Sequence, residues 1–241
     1  MVYAMSAPFG SRAKSAVRTW ALRLGGGGTN TPSKTNIMDF PTTPADVEAA
    51  LRSSGALLEG HFLLASGRHS GRYIEKFRLL EQPRLTSQLC GEIARRFAAD
   101  EIACVVGPVT GGIILAFEVA RHLGCRAVYA ERDEEHGFAL RRGFVLQPGE
   151  RALVVEDVVT TGGSLRRVVE AVTRAGGDVV GAALLVDRSG LPTSHDLAPD
   201  VPRVEALLKL NIASYAPDEV PDELQQRGPA VKPGSSNLAN N

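Results

Sequence analysis

The chain has 241 residues, 44% of them hydrophobic and 22% charged, which is enough for one α/β domain with additions or for two small domains. Its 27 Lys and Arg residues balance 27 Asp and Glu residues, so net charge gives no electrostatic case for binding nucleic acid or a membrane. No apolar run approaches the roughly 20 residues that a membrane span needs. The widely spaced Cys90, Cys104 and Cys125 predict free thiols in a reducing compartment, not disulfides or a zinc site.

The two ends of the chain differ from the middle in composition. Residues 1–38 contain five basic residues, no acidic residue and four consecutive glycines, which predicts disorder. A start site placed too far upstream of Met38 and a targeting segment both explain these features. Residues 226–241 are rich in Pro, Gly and Ser and are predicted to be a flexible tail. The folded domain is therefore predicted to span residues 39–225.

The first predicted elements are a helix over residues 44–51, stopped by Gly55, and two short strands over residues 61–64 and 73–77. Pro83 then opens a helix that continues to about residue 97, because apolar residues recur at helical spacing.

Strands and helices alternate from residue 103 onward. Strands are predicted over residues 103–106, 127–130, 152–155 and 179–186, and helices over residues 112–123 and 165–174. Such alternation predicts a parallel sheet with helices on both faces. Residues 131–149 break the rhythm, since a long polar stretch precedes a short hairpin predicted over residues 138–146. We interpret this segment as a lid.

The most informative segment follows the apolar run of residues 152–155. Glu156 and Asp157 come next, which predicts two carboxylates at the carboxyl end of a buried strand, where open α/β sheets bind ligands. Residues 160–164 then supply hydroxyl groups, glycines and the start of a helix, features that bind phosphate. The segment is neither a P-loop nor a Gly-x-Gly-x-x-Gly turn. It predicts a site for a phosphorylated sugar, with the carboxylates on ribose hydroxyls or a hydrated metal ion.

The segment Val155-Glu-Asp-Val-Val-Thr-Thr-Gly-Gly-Ser164 resembles the phosphoribosyl-diphosphate (PRPP) motif of type I phosphoribosyltransferases. Residues 60–73, 106–114, 140–144 and 186–189 resemble bacterial orotate phosphoribosyltransferases, in the same order and spacing over about residues 45–234. The resemblance implies the type I fold: a central parallel sheet flanked by helices, with a small N-terminal hood and a flexible lid loop. It also implies transfer of phosphoribose from PRPP to orotate in pyrimidine biosynthesis, with Mg²⁺, by a cytoplasmic homodimer.

The resemblance also implies roles for individual residues. It implies that PRPP is bound by Glu156, Asp157, Val158, Val159, Thr160, Thr161, Gly162, Gly163 and Ser164. It assigns orotate to Thr160, to Arg188 as the partner of its carboxylate, and to Tyr73, whose ring lies on the pyrimidine. Mg²⁺ would be carried by PRPP near Glu156 and Asp157 without a direct protein ligand. An ion pair with Asp187 and a place in the core are the alternative interpretations of Arg188 and Tyr73.

The predicted lid departs from the family pattern, in which two or more lysines and a His-Gly reach across a dimer interface to the diphosphate. Here Arg132 and His136 remain, and with Asp157 they are the candidate catalytic residues, but residues 133–135 are acidic.

Two further lysine positions differ as well, because Ala65 and Gly111 stand where many relatives have lysines that contact PRPP. Either Arg132, His136, Arg141 or Lys76 replaces the missing charge, or the PRPP affinity is lower.

Two other functions remain open at this point. A purine or uracil phosphoribosyltransferase would keep the PRPP motif, but a base with a carboxylate accounts better for Arg188. A PRPP-binding regulator would keep the ligand site and lose catalysis, and the missing lysines favour it. The absence of a basic patch and of a helix-turn-helix pattern argues against a DNA-binding regulator.

Overall fold

The computed structural model describes residues 43–233, so the predictions for residues 1–38 and for the last part of the tail lie outside the described residues. The helices are α1 (Pro44–Ser53), α2 (Lys76–Leu80), α3 (Pro83–Arg96), α4 (Gly111–Leu123), α5 (Gly163–Arg174) and α6 (Asp222–Gln225), with a 3₁₀ turn at Ser194–Leu197. The strands are β1 (Leu57–Leu63), β2 (His69–Ile74), β3 (Cys104–Pro108), β4 (Arg126–Asp133), β5 (Gly137–Leu140), β6 (Arg151–Val159), β7 (Asp178–Asp187), β8 (Val204–Lys209) and β9 (Ser214–Tyr215).

A six-stranded sheet with the strand order β5-β4-β3-β6-β7-β8 forms the centre of the domain. Strands β4, β3, β6 and β7 are parallel, as predicted. Strand β8, which was not predicted, pairs parallel with β7, and β5 pairs antiparallel with β4 at the other edge. The sheet is therefore mixed. The chain moves outward in one direction after β3 and in the other after β6, so a topological switch point lies between these two strands. Open α/β sheets bind ligands at such points.

The core lies on both faces of this sheet, because successive residues of a strand point to opposite sides. On β6, Leu153 and Val155 pack into the cluster that contains residues of α3 and α4. Ala152 and Val154 pack into the other cluster, with residues of α5. Helices α4 and α5 thus cover opposite faces, and their N-termini both follow strands that meet at the switch point.

The predicted helix ends agree with the structure at the glycines that were expected to stop them. Gly55 and Gly124 have φ angles of 72° and 71°, in the left-handed region that glycine favours. At the other end of α1, Thr43 and Asp46 form a capping box. No helix within residues 43–233 is long and apolar enough to cross a membrane.

A separate three-stranded sheet, ordered β1-β2-β9, forms the hood. The N-terminal hairpin was predicted, although its strands begin and end earlier than expected and α2 occupies residues predicted as strand. The third strand, β9, comes from the C-terminal part of the chain, and Val231 also hydrogen-bonds to β1 through His61 O at 2.8 Å and Leu63 N at 2.9 Å. Hydrogen-bonded structure thus extends past residue 225, where the sequence placed the end of the domain.

The hairpin in the lid segment was predicted in the wrong place. It was expected over residues 138–146, but it is formed by β4 and β5, joined by a turn at residues 134–136. The physical reason is that β4 continues beyond its apolar run, so that Arg132 pairs with Phe138 and Asp133 with Gly137 across the hairpin. The polar residues predicted as loop are therefore largely strand.

Candidate active site

The site lies at the carboxyl ends of β3, β6 and β7, beside the start of α2. Glu156 and Asp157 were expected just after a strand, but β6 continues to Val159, so both belong to its last residues. The long pairing with β7, which includes Val159 opposite Asp187, keeps this part of β6 extended. The two carboxylates are consequently held by the sheet and not by a loop.

Glu156 is buried, with 8% of its surface exposed, and its Oε2 has no hydrogen-bond partner within residues 43–233. Burial raises the pKa of Glu156 to about 7, while a hydrogen bond from Ser164 and the charge of Lys76 act in the opposite direction. A buried acceptor without a partner is costly. This oxygen is therefore suited to accept a hydrogen bond from a ligand hydroxyl.

Asp157 is buried too, and it has three neighbours that fix its side chain. Lys76 Nζ lies 2.8 Å from Oδ2, and the backbone N–H of Val158 donates to Oδ1 at 2.6 Å. Gly111 lies on another side, where an added Cβ would stand 2.0 Å from Oδ2. Residues from α2, α4 and β6 thus meet at one carboxylate.

The turn after β6 leads directly into α5 and leaves the N-terminus of that helix open. Gly162 is the N-cap, with φ at 74°, and no side chain accepts a hydrogen bond at this cap. A Cβ on Gly162 would lie 3.0 Å from Leu197 O and 2.8 Å from Arg166 Nη1, so only glycine fits. Thr160 and Thr161 are exposed beside it. Backbone N–H groups, hydroxyls and the helix dipole at this turn are together suited to bind a phosphate group.

A second helix N-terminus faces the same edge of the sheet. Thr110 is the N-cap of α4 and accepts no side-chain cap hydrogen bond, and its peptide bond with Val109 is cis. Gly107 and Gly112 pack so closely that a Cβ on Gly107 would lie 2.0 Å from Gly112 O. The backbone of this loop is therefore available to a second anionic group.

Arg188 follows β7, and Tyr73 on β2 is near enough for the charge of Arg188 to act on it. Burial lowers the pKa of Arg188, and burial raises the pKa of Tyr73 against the opposing charges of Lys76 and Arg188. Arg188 Nε is buried without a hydrogen-bond partner within residues 43–233. Asp187 instead accepts from Ser189 N at 2.8 Å and from Ser194 Oγ at 2.7 Å, so the structure does not support the alternative ion pair with Arg188. The guanidinium is suited to a carboxylate ligand.

Two acidic residues of the β4–β5 hairpin pair with arginines that directly follow β5. Asp133 accepts from the backbone N–H of His136 at 2.8 Å and pairs with Arg141. Glu131 Oε1 lies 2.8 Å from Arg142 Nε. Arg132 is exposed and lies over the ring of Phe138, 5.7 Å from its centroid.

The described residues contain no cluster of three or more His, Cys, Asp or Glu side chains that could hold a metal ion alone. Glu156, with its unpartnered Oε2, and Asp157 nonetheless form an acidic pair at the open edge. Such a pair fits a magnesium ion that keeps several waters and takes most of its ligands from a substrate.

Sequence reasoning gave too little weight to Lys76, which was only one of four candidates for the missing charge. A single lysine within a predicted strand carries no pattern of its own. Only the packing of α2 against the switch point brings its ammonium group to Asp157.

Comparisons with known proteins agree with this geometry. A family model, the phosphoribosyl transferase domain, matches residues 79–201. The chain is 51% identical over 196 residues to the orotate phosphoribosyltransferase of Pelotomaculum thermopropionicum, which covers 81% of this chain and 100% of that protein. The corresponding protein of Desulforamulus reducens is 48% identical over 186 residues, 77% of this chain and 93% of that protein.

Solved structures agree as well. The crystal structure of orotate phosphoribosyltransferase from Aeropyrum pernix is 31% identical and covers 68% of this chain and 93% of that chain, with a TM-score of 0.56. The switch-point site, the matching family model and these relatives lead to one conclusion: the chain belongs to the orotate phosphoribosyltransferases and has the type I phosphoribosyltransferase fold.

Proposed function

We propose that this protein transfers the 5-phosphoribosyl group of PRPP to orotate, giving orotidine 5′-monophosphate and diphosphate. The observation that carries this proposal is a pair of buried polar atoms at one edge of the sheet, Glu156 Oε2 and Arg188 Nε, which have no hydrogen-bond partner among residues 43–233. One is suited to a ribose hydroxyl and the other to the carboxylate of the base. The resulting product places the protein in pyrimidine synthesis.

The phosphate-binding role falls to the turn after β6. The 5′-phosphate accepts hydrogen bonds at the N-terminus of α5 from residues 160–164, and Glu156 and Asp157 accept from the ribose hydroxyls. The diphosphate lies near the backbone of residues 107–112. Two helix N-termini that no side chain caps support this arrangement, because both bring positive dipole ends to the anionic ends of one ligand.

The base lies between Tyr73 and Arg188. The guanidinium binds the orotate carboxylate, the tyrosine ring lies on the pyrimidine, and Thr160 donates to the ring. A purine or uracil has no carboxylate for the buried arginine, so this pocket favours orotate.

The reaction breaks the bond between C1 and a diphosphate oxygen, and its electron pair leaves with diphosphate. A ring nitrogen of orotate forms the new bond to C1, and the proton of that nitrogen is released. Positive charge develops on the sugar as the first bond breaks, so the Asp157 carboxylate stabilises the transition state. Mg²⁺ bound to diphosphate near Glu156 and Asp157 would neutralise the leaving group. Arg132 contributes positive charge, and His136 contributes a hydrogen bond, to the diphosphate from the lid.

We further propose that the protein acts as a cytoplasmic homodimer. Two apolar side chains of α4 form an exposed face, which we call the α4 face: Ile114 and Phe117. A groove of about 350 Å³ with mostly apolar lining runs beside it. Large exposed apolar patches mark association surfaces. In a dimer built on this face, the hairpin of one subunit could supply Arg132 and His136 to its partner.

The test is an assay of the pure protein with PRPP and Mg²⁺ and one of three bases: orotate, uracil or adenine. Loss of orotate absorbance with formation of a product of the mass of orotidine 5′-monophosphate, and no product from the other bases, supports the proposal. Formation of product from uracil or adenine alone would show that the protein uses a base other than orotate. Binding of PRPP without any turnover would favour the regulator.

A further inference from the structure

Within residues 43–233, Lys76 supplies the cation that contacts the acidic pair. Its Nζ lies 2.8 Å from Oδ2 and 3.0 Å from Oδ1 of Asp157. Its charge also acts on Glu156 and on Tyr73. The ammonium group therefore lies where the ribose, the diphosphate and the base are expected to meet.

The other candidates for positive charge are engaged within the β4–β5 hairpin. Arg141 pairs with Asp133, and Arg132 lies over the ring of Phe138. His136 Nε2 lies 3.6 Å from a carboxylate oxygen of its neighbour Glu135. None of these three contacts the acidic pair in the described structure.

The exposure of the Lys76–Asp157 pair differs between its two members. The carboxylate side chain of Asp157 is 5% exposed, whereas the Lys76 side chain is 37% exposed. An ammonium group has three donors. Within residues 43–233, both hydrogen bonds of Lys76 Nζ go to the Asp157 carboxylate, and the Phe77 ring centroid lies 5.6 Å from Nζ. The side of the ammonium group that faces neither of them stays accessible to an anionic ligand.

Gly111 allows this arrangement, because the Asp157 carboxylate occupies the space where a side chain at position 111 would begin. With a larger residue there, Asp157 would have to move away from Lys76. The absence of a side chain at position 111 therefore allows the Asp157 carboxylate to stay in contact with Lys76.

We propose that Lys76 is a PRPP-binding residue that also positions Asp157. It holds Asp157 in place in the ligand-free site, and in the complex its ammonium group donates to a diphosphate oxygen while it stays beside Asp157. The inference rests on the proposed function, because it takes PRPP as the ligand.

Calorimetric titration with Mg²⁺ and PRPP tests this role. Because hydrogen bonds to charged groups contribute about 1.5–3 kcal/mol, Lys76→Met should raise the Kd for PRPP about 10- to 100-fold. Lys76→Arg should recover part of the affinity, since it keeps the charge. The matched control is Arg78→Met. Arg78 is an exposed cation on the same helix, but it pairs with Glu81 and not with Asp157. A Kd within about twofold of wild type for Lys76→Met, or an equal loss in the control, would overturn the proposal.

A double-mutant cycle with Asp157→Asn tests whether Lys76 acts through Asp157. Lys76→Met should weaken PRPP binding less in the Asp157→Asn background than in the wild type. Fully additive losses would contradict the positioning role. If Lys76→Met does not fold, as thermal unfolding will show, Lys76→Gln removes the charge, keeps a donor and is judged by the same criteria.

The outcomes for the two proposals are distinct. If the wild type turns over orotate and Lys76→Met binds PRPP with an unchanged Kd, only the role of Lys76 is overturned. Wild-type protein that binds PRPP without turnover would remove the proposed reaction and leave the role of Lys76 testable. Failure of the wild type to bind PRPP would overturn both.

Discussion

Gly111 lies directly against the carboxylate of Asp157, and a Cβ at this position would stand 2.0 Å from Oδ2. We expect Gly111→Ala to displace Asp157 from Lys76 and to raise the Kd for PRPP about tenfold, because the carboxylate must move and overpacking of a dense site costs about 1–3 kcal/mol. Calorimetric titration measures the effect. Gly124→Ala is the control: a Cβ there would meet nothing within 4 Å, and its left-handed φ of 71° should lower stability while PRPP binding stays unchanged. Normal binding in Gly111→Ala would show that Asp157 is not held as described.

Glu156 should make the ligand-free protein less stable as the pH rises. Its pKa is raised from 4.5 to about 7 in the folded protein, so between these values the unfolded chain loses its proton first and unfolding is favoured. The penalty is absent below pH 4.5 and complete above pH 7, where it amounts to about 3 kcal/mol.

Urea unfolding of wild type and Glu156→Gln across this pH range measures that penalty. The stability of the variant relative to wild type should increase by about 3 kcal/mol from the acidic to the basic end. A difference that does not change with pH would mean that Glu156 ionises normally in the folded state.

Arg188 should determine the affinity for the base and leave the sugar site intact. We expect Arg188→Ala to raise the KM for orotate on the order of 100-fold, because it removes the charged donor of a desolvated pair. The Kd for PRPP should stay within about threefold of wild type, since residues 156–164 are unaffected. Arg188→Lys keeps the charge and loses the planar guanidinium, so its KM for orotate should lie between those of wild type and Arg188→Ala. Equal damage to both substrates would instead indicate that Arg188 has a structural role.

The α4 face should mediate dimer formation. Phe117 is 65% exposed, so Phe117→Glu should cost the isolated subunit little while it places a charge in an apolar interface. Sedimentation velocity should show a shift from dimer to monomer. Val145 is 63% exposed outside this face, and Val145→Glu serves as the matched control. A monomeric wild type, or an unchanged dimer in Phe117→Glu, would place the interface elsewhere or exclude it.

The order of helices and strands in the sheet domain was predictable because its signals are local. Apolar runs bounded by glycine and proline marked β3, β4, β6 and β7, and the left-handed Gly124 ended α4 as expected. The strand order was not predictable, since the reversal between β3 and β6 depends on which strands pair across long sequence separations. Strands β8 and β9 were not predicted. Strand β9 is only two residues long and is defined by its pairing with β2, which the sequence does not show.

The acidic pair at the end of β6 and the turn into α5 could be predicted because they form one continuous segment, residues 156–164. The residues that complete the site come from elsewhere in the chain. Lys76 reaches Asp157 across 81 positions, and only the folded chain shows this contact. The acidic lid was difficult to interpret from sequence because its ion pairs, such as Glu131 with Arg142, depend on the register of the β4–β5 hairpin.

The most direct test of this account is a crystal structure of the protein with Mg²⁺, PRPP and an unreactive analogue of orotate. We predict ribose hydroxyls on Glu156 and Asp157, the 5′-phosphate at the N-terminus of α5, and the carboxylate of the analogue on Arg188. Phosphate bound away from residues 160–164, or a carboxylate that does not contact Arg188, would contradict the account.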